Sequence, residues 1–224
     1  MAVFAISDLH LSLGLNKPMD VFGVSWENYV QRIEENWRSV VNESDTVLIC
    51  GDISWATYLE QAIEDFKFIH SLPGKKIISK GNHDYWWCTA AKLVEFKVEF
   101  GFDDIVFLHN NSVLVEGVAV CCARGWKSPF EKNFSSEDQK IYERELIRLR
   151  LSLEDGKKKS DRLWAMLHYP PDFAVDMLLD EYNTEKCIYG HLHGRQAYER
   201  QSDRDRNVLV SSDFLEFHPL RLEL

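Results

Sequence analysis

Asp8 and His10 in "SDLH", Asp52 in "GD", Asn82 in "GNHD", His168 in "LHYPP", and His191 and His193 in "GHLHG" offer imidazole, carboxylate and amide oxygen without a thiolate. Such donors suit borderline to hard divalent ions such as manganese, iron, cobalt or zinc. Seven groups exceed the four of one tetrahedral site. They suffice for two neighbouring ions if one carboxylate bridges, and two ions about 3.5–4 Å apart form a clamp for displacement at phosphorus. The carboxylates Asp8 and Asp52 would only half neutralise two divalent ions, leaving a cationic hole for a phosphate. The stretch "KGNHDYWW" adds a further question. A connecting loop needs the turn formers Gly81 and Asn82, but not an imidazole, His83, held between a carboxamide and the carboxylate of Asp84.

Each cluster follows a short apolar run, and these runs are the elements that must position it. Strands are expected at 3–6, 46–50, 76–78, 105–108, 113–115, 118–122, 163–167, 186–189 and 208–210. Strands alternating with helical patterns indicate α/β construction. In open α/β sheets ligands bind beyond the carboxyl ends of the strands, so clusters far apart in sequence can meet at one site. Helical spacing of Trp26, Val30, Ile33, Trp37 and Val40 behind Ser25 as N-cap predicts one covering helix. Leu59, Ile63, Phe66 and Ile69 predict a second. A third opens at Ser136, with Gln139 completing a capping box, and ends near Gly156. His70, His109 and His218 match no ligand pattern and are expected to be structural or superficial.

With 224 residues, 45% hydrophobic and 28% charged, the chain is expected to form one globular domain over 1–224. The five cysteines, odd in number and without C-x-x-C spacing, argue against a disulfide framework or a zinc ribbon, and Cys50 and Cys187 read as small buried hydrophobes. The run Lys157 to Lys159 reads as a solvated loop. A formal charge of -10 disfavours a protein that coats nucleic acid or an anionic membrane. It does not exclude a phosphate site, because bound cations lie outside that count and reverse the local field. "MAVFAISDLHL" lacks a basic n-region and reads as a first strand, not a signal peptide, and no apolar run spans a bilayer. The expected compartment is the cytoplasm.

The ordered set D-x-H, G-D, G-N-H-D, H and G-H-x-H, running from Asp8 to His193, resembles the calcineurin-like metallophosphoesterase family. That resemblance implies a four-layer α/β/β/α sandwich of two mixed β-sheets flanked by helices, with a two-metal site at one edge. By the same resemblance Asp8, His10 and His193 hold one ion, Asn82, His168 and His191 the other, and Asp52 bridges. His83 matches the family's histidine that faces the leaving group, with Asp84 placed to orient it. Purple acid phosphatases have a tyrosine ligand where this chain has Trp55, and serine/threonine protein phosphatases carry G-D-x-V-D-R-G where it has "GDISWAT"; the opening "ISDLHL" looks more like the bacterial phosphodiesterase and nucleotide-hydrolase branches. Arg124 in "CCARGW" is a candidate bidentate phosphate ligand, with a surface salt bridge as its alternative. Trp86, Trp87 and Trp126 either wall a pocket or pack under loops.

The function expected is hydrolysis of a phosphomonoester or phosphodiester, on a phosphorylated small molecule or nucleotide. It would use two divalent transition-metal ions, manganese first and iron, zinc or cobalt as alternatives. A metal-activated bridging water attacks and His83 is the general acid. A nuclease of the same fold is the competing enzyme, and the acidic balance without a basic stripe counts against it. A non-catalytic scaffold of this fold would be expected to have lost ligands, and all are present.

Overall fold

Strands that are apolar along their whole length must be covered on both faces. In the computed structural model, which describes residues 1–224 apart from Asn16, Pro18, Asp20, Val21, Phe22 and Asp203, two five-stranded sheets meet that need. The first contains β1 (Val3–Ile6), β2 (Thr46–Ile49), β3 (Lys75–Ile78) and β4 (Ile105–Phe107), all parallel and adjacent in that order, with β10 (Leu220–Leu222) antiparallel on the outer side of β1. The second runs β5 (Ser112–Val115), β6 (Val118–Cys122), β7 (Leu163–Met166), β8 (Lys186–Tyr189) and β9 (Asn207–Leu209), with only β5 antiparallel to its neighbour.

Successive side chains of a strand point to opposite faces. Val3 and Ala5 therefore face the other sheet and join Leu48, Val120, Met166 and Ile188 in one buried core. Phe4 and Ile6 face outward, into a second core with Ile33 and Trp37 of α1 (Tyr29–Val40), Phe66 of α2 (Ile63–Ser71) and Phe96 of α3 (Ala90–Phe100). On the far side Ala165 and Tyr189 pack with Leu149 and Leu153 of α4 (Ser136–Lys157), Leu179 of α5 (Phe173–Glu181) and Ala197 of α6 (Gly194–Arg200). The result is the α/β/β/α sandwich expected, with Cys50 and Cys122 inside the sheet-to-sheet core and all five cysteines free.

Two local expectations need correction, and four elements are added to those expected. Ser25 does not cap α1: Val24–Trp26 forms a separate 3-10 turn, and the chain passes through a left-handed Asn28 before the helix starts. The capping box of α4 lies one residue earlier than expected, between Ser135 and Asp138, whose carboxylate accepts from the Ser135 N–H at 2.8 Å. Strand β10 escapes sequence pattern because it is short and exposes Arg221 at a sheet edge. The helices α3, α5 and α6 also go unrecognised. In α3, exposed Val94 and Val98 put apolar residues on both faces and blur the periodicity.

Candidate metal centre

Every candidate group sits just past the carboxyl end of a parallel strand: Asp8 and His10 after β1, Asp52 after β2, Asn82 and His83 after β3, His168 after β7, His191 and His193 after β8. The backbone there is unusual. Asp8, His10, Asp52 and His191 all have left-handed φ, at 58°, 46°, 52° and 71°. Non-glycine residues rarely adopt this region, and such strain collects at functional sites where the surroundings enforce it. The enforcement is visible. The Asp8 N–H donates to the Gly51 carbonyl and the His10 N–H to the Asp52 carbonyl, both at 3.0 Å. Gly81 and Gly190 lie so close to the carboxylates that a Cβ would fall 2.0 Å from Asp52 Oδ1 and 2.2 Å from Asp8 Oδ2, respectively.

Two clusters of ligand atoms result. In one, His193 Nε2 lies 3.3 Å from Asp8 Oδ1 and 3.4 Å from His10 Nε2. In the other, Asn82 Oδ1 lies 2.7 Å from His168 Nε2 and 2.9 Å from His191 Nδ1. Asp52 Oδ2 stands between the clusters, 3.8 Å from His10 Nε2 and 3.5 Å from His168 Nε2. Asp8 also reaches both sides, since its carboxylate, Asp52 and His168 present atoms within 4.8 Å of one another.

Carboxylate oxygens and an amide oxygen are acceptors, as is the unprotonated nitrogen of a neutral imidazole, which in His168 is Nε2 because Nδ1 faces the Cys50 carbonyl, and acceptors facing one another need a proton or a cation between them. In the metal-free chain a proton on His193 serves. Burial opposes it, but the Asp8 charge and the hydrogen bonds to Asp213 and Asp8 push this imidazole up to about 10. Burial would raise Asp8, yet the charges of His193, His168 and His10 outweigh it and hold the carboxyl well below the usual range. Asp52 moves the other way, raised by burial and by the charges of Asp8 and Asp84. Burial lowers His10 to about 3, His168 to about 4 and His191 to about 3, which leaves them neutral, as ligands must be. The donor set therefore fits divalent cations, with no thiolate among the grouped residues.

Neighbouring groups fix the ring orientations. His168 Nδ1 donates to the Cys50 carbonyl at 2.9 Å, which leaves Nε2 free to ligate. His193 Nδ1 bonds Asp213 Oδ1 at 2.8 Å, and Asp213 Oδ2 takes the Gly194 N–H at 2.8 Å. His10 is held by ring contact: Trp55 stacks on it at 4.9 Å and 20°. Asp213 and Trp55 are missed as site residues by motif reading. Asp213 was findable, because "SSD" follows β9 as the other polar clusters follow their strands. Asp213→Ala should weaken metal binding about 10–100-fold, the usual effect of losing such a partner. Titration of the metal-free variant with Mn(II) or Zn(II) measures it, and an unchanged affinity would remove Asp213 from the site.

The structure places the remaining candidates differently. The His83 ring lies 4.6 Å from Trp55 and 5.7 Å from His10, lining the same hollow as Asp52, His191 and His193. The His83 backbone N–H donates to Asp52 Oδ1 at 2.8 Å. Asp84 does not orient the His83 ring. Its buried carboxylate accepts from the N–H groups of Gly81 (2.7 Å), Ile53 (2.8 Å) and Asp52 (2.9 Å) and from Trp86 Nε1 (3.0 Å), so it pins the two ligand loops together. Arg124 is not among the residues lining that hollow: its guanidinium lies over Trp126 at 4.5 Å and 3.5 Å from Glu145 Oε1. Trp86 and Trp87 pack in the core beneath the loops.

The family model for calcineurin-like phosphoesterases matches residues 1–195. The chain belongs to the calcineurin-like phosphoesterase family. For this phosphoesterase, family and fold support metal-dependent phosphate ester hydrolysis in general, and the Asp and His groups above are candidate ligands for the metal. Among solved structures it is similar in fold to a protein of unknown function from Aquifex aeolicus, at 16% identity and a TM-score of 0.55 over 98% of this chain and 95% of that one. It is also similar to TT1561 of Thermus thermophilus, at 16% identity and a TM-score of 0.51 over 85% and 81% of the two chains. No curated protein matches the sequence. Among the described residues no helix is long and apolar enough to cross a membrane.

Proposed function

We propose that the chain hydrolyses a phosphomonoester or phosphodiester of a small molecule or nucleotide with two divalent transition-metal ions, manganese first among manganese, iron, zinc and cobalt. The observation that carries this reading is Asp52 Oδ2, one carboxylate oxygen facing His10 in one cluster and His168 in the other. Asp8, His10 and His193 would hold one ion, Asn82, His168 and His191 the second, with Asp52 shared.

Two ions so held lower the pKa of water and neutralise phosphoryl oxygens, which is the chemistry an ester hydrolysis needs. The chain does the rest. Asp213 keeps the His193 Nε2 lone pair aimed inward, and the Cys50 carbonyl does the same for His168. Trp55 and Trp26 wall the hollow of about 410 Å³ into which a phosphate would fit. His83, on the same wall, presents a ring nitrogen to the departing oxygen. Burial lowers its pKa, so proton transfer from the imidazolium would be favoured by falling pH, while the neutral ring can still hydrogen-bond the departing oxygen through its one N–H.

Elemental analysis of protein purified without chelator, followed by assays on nitrophenyl phosphate and bis(nitrophenyl) phosphate with each metal, tests the proposal. Two ions per chain and metal-dependent turnover are expected. A single ion per chain, or turnover that survives chelation, contradicts it.

A further inference from the structure

A second cavity, of about 280 Å³, opens beside the candidate metal centre and shares no lining residue with the metal-side hollow. Lys80, Arg124, Arg144 and Arg148 line it together with His109, and its one carboxylate is the buried Glu145. Glu145 Oε1 serves two of these cations, Arg148 at 2.6 Å and Arg124 at 3.5 Å. Lys80 and Arg144 have no ion-pair partner among the described residues, and Arg124 Nε is buried without a hydrogen-bond partner. Three positive charges are thus left in excess around one small cavity, in a chain whose formal charge is -10. Like charges brought together out of water repel, and among the described residues lining the cavity Glu145 is the one carboxylate that offsets them. The cavity is also anchored to the metal loops. Lys80 is two residues ahead of Asn82 in sequence, and the Arg124 carbonyl takes the N–H groups of His168 (3.0 Å) and Tyr169 (3.1 Å).

We propose that this cavity is a second anion site, built for a phosphate-type oxyanion bound by Lys80, Arg124, Arg144 and Arg148 and distinct from the metal centre. Guanidinium forks match the geometry of a phosphate, and Glu145 holds two of them in place while neutralising only one charge. The oxyanion is either a second phosphate on the substrate or free phosphate.

Calorimetric titration of the metal-loaded protein with inorganic phosphate tests the site. Two classes of binding are expected for the wild type. In Lys80→Gln/Arg144→Gln one class should weaken at least tenfold while the other persists. Because both side chains lack ion-pair partners, this variant should unfold at no lower temperature than the wild type. Arg144→Gln alone, on the exposed rim, should give a smaller loss of the same class. Phosphate binding that the variants leave unchanged, in one class or two, overturns the proposal, whether or not the unfolding temperature falls, and so does a wild type that binds no phosphate. Kinetics separates the sources. If the cavity takes a second substrate phosphate, the double variant raises KM at least tenfold for a nucleoside 3′,5′-bisphosphate and far less for nitrophenyl phosphate. If it takes free phosphate, both KM values stay and the titration alone changes. Failure of the phosphoesterase reading would show instead as no turnover of either compound, with the variant-sensitive phosphate class still present.

Discussion

Asp52→Asn should reduce the metal content from two ions per chain to less than one, and hydrolysis of nitrophenyl phosphate should fall with it. The two carboxylate oxygens have different partners. Oδ1 accepts the His83 N–H at 2.8 Å, which fixes the carboxylate in its plane. Oδ2 is thereby left facing both His10 and His168. Asparagine can keep the first contact but puts an amide nitrogen, a donor, where both ions would need an anionic oxygen. Loss of a neighbouring partner costs about 10–100-fold in metal affinity, so loss of a shared ligand should cost at least that at each site. The fold should survive, because burial and the charges of Asp8 and Asp84 already push metal-free Asp52 toward its neutral form, which asparagine resembles. Elemental analysis after desalting, with thermal unfolding of the metal-free proteins as a control, decides the matter. A variant that keeps two ions would refute the shared-carboxylate centre.

Much of this architecture is legible in the sequence for a physical reason. Strands covered on both faces must be apolar throughout, so β1, β6 and β7 stand out as continuous runs, and parallel strands deliver their polar ends to one edge. Asp8, Asp52, Asn82, His168, His191 and His193 are readable because they follow such runs. Asp84 shows where adjacency misleads. It follows His83 in sequence, yet the tight turn sends its carboxylate inward to the Gly81 and Ile53 N–H groups. Arg124 shows the same limit: position after a strand does not reveal that its guanidinium turns to Glu145 and Trp126. The cationic cavity is invisible to motif reading because Arg144 and Arg148 come from a helix face, α4, and meet Lys80 only through the packing of that helix on the second sheet.

His83→Ala should leave both ions bound and lower the rate on a substrate with a poor, alkoxide-like leaving group by about 10²–10⁴, the usual range for general acid catalysis. The ring is free to act. Its backbone N–H is committed to Asp52, but among the described residues no hydrogen bond or ion pair claims the imidazole nitrogens. Trp55 and His10 hold it by ring contact at the wall of the metal-side hollow, where the departing oxygen would emerge. Nitrophenolate departs without protonation, so the loss on nitrophenyl phosphate should be much smaller. A purely supporting role predicts otherwise. The alanine variant keeps the backbone N–H to Asp52, and removing a ring that only packs against Trp55 would loosen the loop and slow both substrates equally. Measuring the two rates and the metal content on one His83→Ala preparation separates these cases. Equal losses on both substrates would exclude His83 as the group that protonates or hydrogen-bonds the leaving oxygen, and would make it a packing partner of Trp55.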